Sequence, residues 1–334
     1  MKRVNQSEIA RASGVSVSTV SRVLSRAPGI SAPVRDRVMS IAREMGYKIQ
    51  LPGMVPGTAV SRVVLFVGPF QTPTGMSLVY SAILAGIRSA AESSGIAVTF
   101  ALQDGEGNLP KHLLSDSGAG FLFLGVDPEP QVLRALHARK VPIVLVNGLD
   151  PEMIADAVSP ANFSGGRLAA RHLIEKGHRK IVQLTNLQRW TLRRRSQGLI
   201  SGIREFSGGD GAADVRTVEL DSLNEASVFR TVKQLLAHIE AGCTAAFCGN
   251  DLVGLATLQA LKAHGYSVPG DIAVIGFDDL PVAEMADPAL TTINIDWEAI
   301  GAEAMRLVTQ RQADFTAPAR HIQIGARLVQ RQST

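Results

Sequence analysis

Little in this chain suits a disulfide, a metal or a covalent reaction. Its two cysteines, Cys243 and Cys248, have four residues between them, a spacing that matches neither a CxxC redox pair nor half of a zinc site. Cys248 lies in the apolar run 245–248 and reads as a small buried hydrophobe. The seven histidines are scattered, and His178, between Gly177 and Arg179, reads as part of a helix-to-strand turn. No HExxH, Walker loop or GxSxG elbow occurs. Gly118 and Gly120 precede a strand-like run, whereas a dinucleotide loop must follow one. The glycine-rich stretch 105–110 ends in Pro110 where a last glycine would stand. Asp278 and Asp279 are adjacent, so on an extended chain they point apart and cannot easily share acid–base work. Neither metal, cofactor nor enzymatic activity is expected. Apolar runs stay far below the ~20 residues of a membrane span. Lys2 and Arg3 are followed by no apolar stretch, so no secretion signal is expected. The expected compartment is the cytoplasm, with no membrane partner.

What the chain has is an uneven distribution of charge. Residues 1–48 carry nine basic and three acidic side chains, a net +6, while all 334 residues sum to +4. A basic head on a near-neutral body suits phosphate neutralisation, the main source of non-specific DNA affinity. Within that head, residues 15–24 read VSVSTVSRVL. At 100° per residue, Val20, Val23 and Leu24 share one arc, and Val17, Ser18, Ser21 and Arg22 the other. Ser16 can cap the first turn. Residues 6–12 form a preceding short helix with Ile9 and Ala10 inward, and Ser13 and Gly14 make the turn between them. A third helix over 32–45 supplies Val34, Val38, Ile41 and Ala42 to close a small core. Helix, glycine turn and helix are the parts of a helix-turn-helix, whose second helix enters the major groove. An ordinary amphipathic helix with a serine-rich face is the competing reading of residues 15–24 alone.

From residue 62 onward, strand-length apolar runs alternate with helix-length segments. Residues 63–67, 96–102, 121–124 and 141–146 form one set, and 181–184, 215–220, 245–248 and 272–277 a second. A further strand at 291–295 and a long helix at 297–312 follow. Alternation of this kind implies parallel sheets with right-handed crossovers. The shift between sets falls near 151–160. Ligands in open α/β sheets bind beyond the carboxyl ends of the strands, where Asn147, Asn250, Asp251, Asp278 and Asp279 stand.

The run EIARASGVSVSTVSRVL (8–24), with VRDRV (34–38) and Gly46-Tyr47, resembles the headpiece of the lactose-repressor (LacI/GalR) transcription factors, and the likeness extends along the chain. It implies an N-terminal all-α helix-turn-helix headpiece on an α/β two-lobed body of the type I periplasmic-binding-protein kind. The expected division is a headpiece at 1–48, a hinge at 49–61 and a body at 62–334. Within the body, one lobe takes about 62–157 and 290–318, the other about 158–289 and 319–334. By position in the family motif, Val17, Ser18 and Arg22 face base edges, while Ser16, Thr19, Ser21, Ser31 and Tyr47 contact phosphates. The matching arginine of Arg-x-x-Gly, the asparagine of Asn-Asp and the first aspartate after Gly-Phe contact an effector, which here means Arg195, Asn250 and Asp278. Asn147 occupies a position that is often acidic in the family. Helix capping is the competing reading of Asn250 and Asp278, and for Asp251 and Asp279 it is the expected role.

Such acceptors and bidentate donors suit the vicinal hydroxyls of a sugar or nucleoside. Arg189 and Trp190 are expected on a loop over the cleft mouth, where Trp190 stacks on a sugar ring and Arg189, with Arg195, favours an acidic group. Arg193 and Arg194 are expected on a solvated basic face. The chain departs from the family at 49–57, where two prolines and two glycines oppose the usual hinge helix, whose leucine wedges into the operator's minor groove. The functional expectation is a homodimeric repressor of a pseudo-palindromic operator, controlled by a small sugar-like metabolite. The alternative is a cytoplasmic solute-binding or sugar-processing protein whose N-terminal helices do not bind DNA. No leucine-heptad tail follows the closing segment 328–334, so a dimer is expected to be the final assembly.

Overall fold

The computed structural model describes residues 5–24, 30–45, 60–67, 78–102, 118–208 and 214–334. The chain divides into two compact units, Met1–Ala59 and Val60–Thr334. Tyr47 and the proline- and glycine-rich stretch 49–59 lie outside the described residues.

The first unit contains α1 (Gln6–Ser13), α2 (Val17–Leu24) and α3 (Ala32–Glu44). Asn5 and Glu8 form a reciprocal capping box at the start of α1, each accepting from the other's backbone amide. Gly14 ends that helix with φ +65°, a left-handed conformation that glycine adopts without a steric penalty. The chain then re-enters a helix at once because Ser16 Oγ accepts from Thr19 N at 3.0 Å. Ile9, Ala10, Val20, Val23, Leu24, Val38 and Ala42 form the core, with Val34 and Ile41 against it.

The second unit has two parallel sheets. In the first, β1 (Arg62–Val67), β2 (Ala97–Leu102), β3 (Ala119–Leu124), β4 (Ile143–Val146), β5 (Asp156–Pro160) and β11 (His321–Ile324) are ordered β11-β5-β4-β3-β1-β2. In the second, β6 (Lys180–Thr185), β7 (Asp214–Glu219), β8 (Ala245–Cys248) and β9 (Ala273–Ile275) are ordered β7-β6-β8-β9. A short antiparallel pair, β10 (Thr292–Ile295) with β12 (Ala326–Val329), carries the chain between the lobes. Helices cover the sheets: α4 (Leu78–Ser94), α5 (Pro130–Ala138), α6 (Asn162–Glu175), α7 (Trp190–Phe206), α8 (Glu225–Glu240), α9 (Asp251–Ala263), the single turn α10 (Pro281–Glu284), and α11 (Trp297–Ala313).

The lobe boundaries differ from the expected ones at two places. Residues 158–160 and 321–324, assigned to the second lobe from sequence, are strands of the first sheet. There β11 pairs with β5 in the register His321↔Ala157 to Ile324↔Pro160. The physical reason is that β5 would otherwise be an open edge. A buried ion pair fixes the join: Arg311 of α11 donates Nε and Nη2 to the fully buried Asp156 at 2.9 and 2.8 Å, and Arg320 N donates to the same carboxylate at 2.8 Å. Only the last residues return to the second lobe, where Ser333 Oγ donates to Val274 O at 2.6 Å.

Candidate functional site

On α2 the outward residues are those expected. Ser16, Val17, Ser18, Ser21 and Arg22 are exposed and Thr19 is half-exposed, while Val20, Val23 and Leu24 are buried. Val17 leaves an apolar side chain 45% exposed. Ser16 Oγ and Thr19 Oγ1 lie 2.8 Å apart, joining two of the expected phosphate contacts at the helix start. Ser31, also exposed, precedes α3 and accepts from Arg35 N through its carbonyl.

In the body the structure gathers Arg195, Asn250 and Asp278 at the carboxyl ends of β6, β8 and β9. Arg195 is buried, its Nη1 3.2 Å from Asp278 Oδ1. The pair lacks hydrogen-bond alignment, so the buried Asp278 Oδ1 has no hydrogen-bond partner among the described residues. Arg195 is held instead by Asn162 Oδ1 at 2.9 Å, by Gly249 O at 2.7 Å and by the face of Phe277, 3.8 Å from its ring centroid. No sequence signal points to these three partners. Asn162 opens α6 and α6 crosses α7, so that contact exists only in three dimensions. Its closeness depends on Gly166 and Gly198, where a Cβ would meet Arg195 O at 2.1 Å and Phe163 O at 2.0 Å.

Asp278 occupies φ +118° and Asp279 φ +56°, strained conformations for side-chain-bearing residues. The turn is fixed by Asp278 N donating to Ile293 O, and by Trp297 Nε1 donating to Asp278 O at 3.3 Å. Burial pushes the Asp278 carboxyl up to about 6, with Arg195 opposing. Burial, followed by the charge of Asp278, pushes Asp251 up to about 8.

Asp251 and Asp279 are not helix caps. Asn250 is the N-cap of α9, accepting from Val253 N at 2.9 Å. Asp251, fully buried behind it, accepts from Leu280 N at 2.7 Å and Thr292 Oγ1 at 2.5 Å. Asp279 pairs with Arg331 at 2.7 Å and accepts from Asn294 Nδ2 at 2.9 Å. Both carboxylates thus tie the Asp278 turn to the interlobe strands. The amide nitrogen of Asn250 has no partner among the described residues and keeps two donors.

At the carboxyl end of the other sheet, Asn147 follows β4 with φ +58°, and its buried Oδ1 has no partner among the described residues. Trp190 begins α7 rather than lying on a loop, because Arg189 takes the N-cap position with extended backbone. The Trp190 ring stands 5.5 Å from that of His321 at 58°. Arg193 is not merely solvated: it donates to the carbonyls of Leu187 and Gln188 and fastens the turn before α7. Arg194 lies over Phe163, 5.0 Å from the ring centroid. Among the described residues no His, Cys, Asp and Glu cluster could hold a metal ion, and no helix is long and apolar enough to cross a membrane.

Residues 7–50 match the family model for bacterial regulatory proteins of the lacI family, and residues 170–334 that of a periplasmic binding protein-like domain. The chain is 30% identical over 335 residues to the HTH-type transcriptional regulator CelR of Thermobifida fusca, covering 93% of each. It belongs to the LacI family. To MalR of Streptomyces coelicolor, another HTH-type transcriptional regulator, it is 29% identical over 98% of this chain and 95% of that one. The structure of a CelR–cellobiose complex superimposes with a TM-score of 0.71 at 28% identity, over 99% of this chain and all of the other. The lac repressor dimer bound to operator shares the fold, with a TM-score of 0.70 at 23% identity over 100% and 99% of the two chains. This LacI-family chain is therefore a helix-turn-helix, DNA-binding transcriptional regulator, and these relatives are regulators rather than enzymes.

Proposed function

We propose that this regulator represses from a pseudo-palindromic operator as a homodimer in the cytoplasm, and that a saccharide bound between its lobes sets its operator affinity. The observation that carries the effector reading is the Arg195–Asp278 pair. It is a buried cation beside a carboxylate oxygen with open acceptor capacity, at the strand ends where a ligand's hydroxyls would enter. Asn147 Oδ1 and the Asn250 amide add an acceptor and donors of the same kind. A buried polar atom without a partner costs about 1–3 kcal/mol, which a polyol would recover. The similar CelR structure is a complex with cellobiose, which supports a saccharide.

In the headpiece, residues 1–48, Val17, Ser18 and Arg22 would read bases. Ser16, Thr19, Ser21, Ser31 and Tyr47 would hold phosphates. Two-fold half-sites require a dimer, since one short helix contacts too few bases for specificity. Its surface is supported by β2, an edge strand with Phe100 64% exposed, beside a groove of about 590 Å³ lined by α4 side chains including Leu84 and Arg88.

The deciding experiment is a thermal-shift screen of neutral sugars, sugar acids and nucleosides on the full chain, since ligand binding raises stability by mass action. A saccharide should raise the transition and lose that effect in Asp278→Ala. A nucleoside hit alone would replace the reading.

A further inference from the structure

Arg189 differs from the other buried or half-buried arginines that anchor the two lobes. Arg195 has Asp278 at 3.2 Å, Arg331 has Asp279 at 2.7 Å, and Arg311 has Asp156 at 2.8 Å. No carboxylate among the described residues forms such a pair with Arg189. Asp127 attracts it from farther away. Its hydrogen bond is a long one, Nη1 to the Tyr80 hydroxyl at 3.3 Å. Tyr80 belongs to α4 of the first lobe, and its hydroxyl lies over Gly125, just past β3, where a Cβ would come within 2.1 Å of it. Arg189 therefore reaches from the end of β6 across the cleft to the carboxyl end of β3 in the opposing sheet.

The position is built rather than incidental. Asn186 Oδ1 accepts from Gln188 N at 2.9 Å, and its Nδ2 donates to Leu220 O and Asp221 O at 2.9 and 3.0 Å. With the Arg193 contacts, this fixes the turn that presents Arg189. Arg189 also disfavours the charge of Arg195, after burial itself. Two guanidiniums held on one cleft repel each other, and an anion between them relieves that. The buried acceptors Asn147 Oδ1 and Asp278 Oδ1 cannot take a carboxylate, so they call for hydroxyl donors at another part of the same ligand.

Resting on the saccharide reading above, we propose that Arg189 binds an acidic group. The effector is then a sugar acid, a polyol bearing a carboxylate or phosphate, rather than a neutral sugar. Asp278 and Asn147 take its hydroxyls, and Arg189 sets the preference for charge.

The test is calorimetric titration of the full chain with glucose, gluconate, glucuronate and glucose 6-phosphate, and with cellobiose and cellobionate. At least one acid should bind about tenfold tighter than its neutral counterpart, the margin of one charge-assisted contact. Which acid wins separates carboxylate from phosphate. Arg189→Gln should remove that margin and leave the neutral sugar within about twofold, and Arg189→Lys should restore part of it. Tighter binding of the neutral members, or an acid preference unchanged in Arg189→Gln, would overturn the proposal. Binding of none of the six by a folded protein would count against the saccharide reading itself.

Discussion

Arg195 and Asp278 meet at 3.2 Å with about 5% of either side chain exposed, one from the helix after β6 and the other from the strained turn after β9. A lone charge at that depth is costly, and removing one partner of a buried pair typically loses about 3–5 kcal/mol. Arg195→Leu should lose stability of that order in urea unfolding, because it also strips donors from Asn162 Oδ1 and Gly249 O. Asp278→Asn should lose less, since Asn162, Gly249 and Phe277 still hold the guanidinium. Both should abolish saccharide-induced thermal stabilisation. Full stabilisation in either variant would remove the pair from the effector site.

Asp251 gives the body a pH dependence of unusual sign. A carboxyl ordinarily near 3.9 that is raised to about 8 in the fold binds its proton more tightly folded than unfolded. Its contribution to stability is greatest at low pH and is lost as pH rises from about 4 to about 8, at up to about 1.4 kcal/mol per unit. Asp278, raised to about 6, adds the same sign over a shorter window. His172, His178 and His321, held low chiefly by burial, act oppositely and cost stability as pH falls through 6.5. Asp251→Asn isolates the first effect. Denaturant unfolding of this variant between pH 6 and 8 should show a flatter profile than the parent chain. An unchanged slope would mean that Asp251 is ionised in the fold.

The three headpiece helices are legible in the sequence because their signals are local: Gly14, the Ser16 cap and the apolar arcs each lie within a turn or two of helix. Most strands are legible for the same reason. Asp278 stands out as a charged residue after an apolar strand, and Arg195 through the Arg-x-x-Gly motif of the family the chain resembles. Their partners do not, since Asn162, Gly249 and Phe277 are brought to Arg195 by helix crossing and sheet order. β5 is hidden because Asp156-Ala-Val-Ser-Pro160 is short and half polar, and its Asp156 is satisfied by Arg311, 155 residues away. Without β5 in view, β11 has no visible partner and falls to the wrong lobe.

Phe100 tests the assembly. A phenylalanine 64% exposed on an edge strand leaves apolar area in water that a second copy would cover. Phe100→Arg adds a charge at a side chain that lies mostly in water. It should move the sedimentation equilibrium from dimer toward monomer at micromolar concentration while the thermal transition of the body changes little. Operator affinity should fall with it, because two half-sites are then engaged separately. A variant that stays fully dimeric would place the interface elsewhere.

Arg22 tests the base reading. It stands exposed on the outer arc of α2 with Val17, Ser18 and Ser21, one turn beyond Ser18. A guanidinium there can donate two hydrogen bonds to guanine O6 and N7, worth about 1–3 kcal/mol of discrimination at one base pair. Val17 offers an apolar surface suited to a thymine methyl. Arg22→Ala keeps the helix, since alanine favours it, and leaves Val20, Val23 and Leu24 to hold the core. Binding-site selection with this variant should give the same two-fold spacing as the parent but lose preference at one position in each half-site. A phosphate contact would behave differently: affinity would drop across all sequences and the dependence on salt would weaken by about one counterion. Unchanged base preference with a shallower salt slope would therefore reassign Arg22 from the base edge to the backbone.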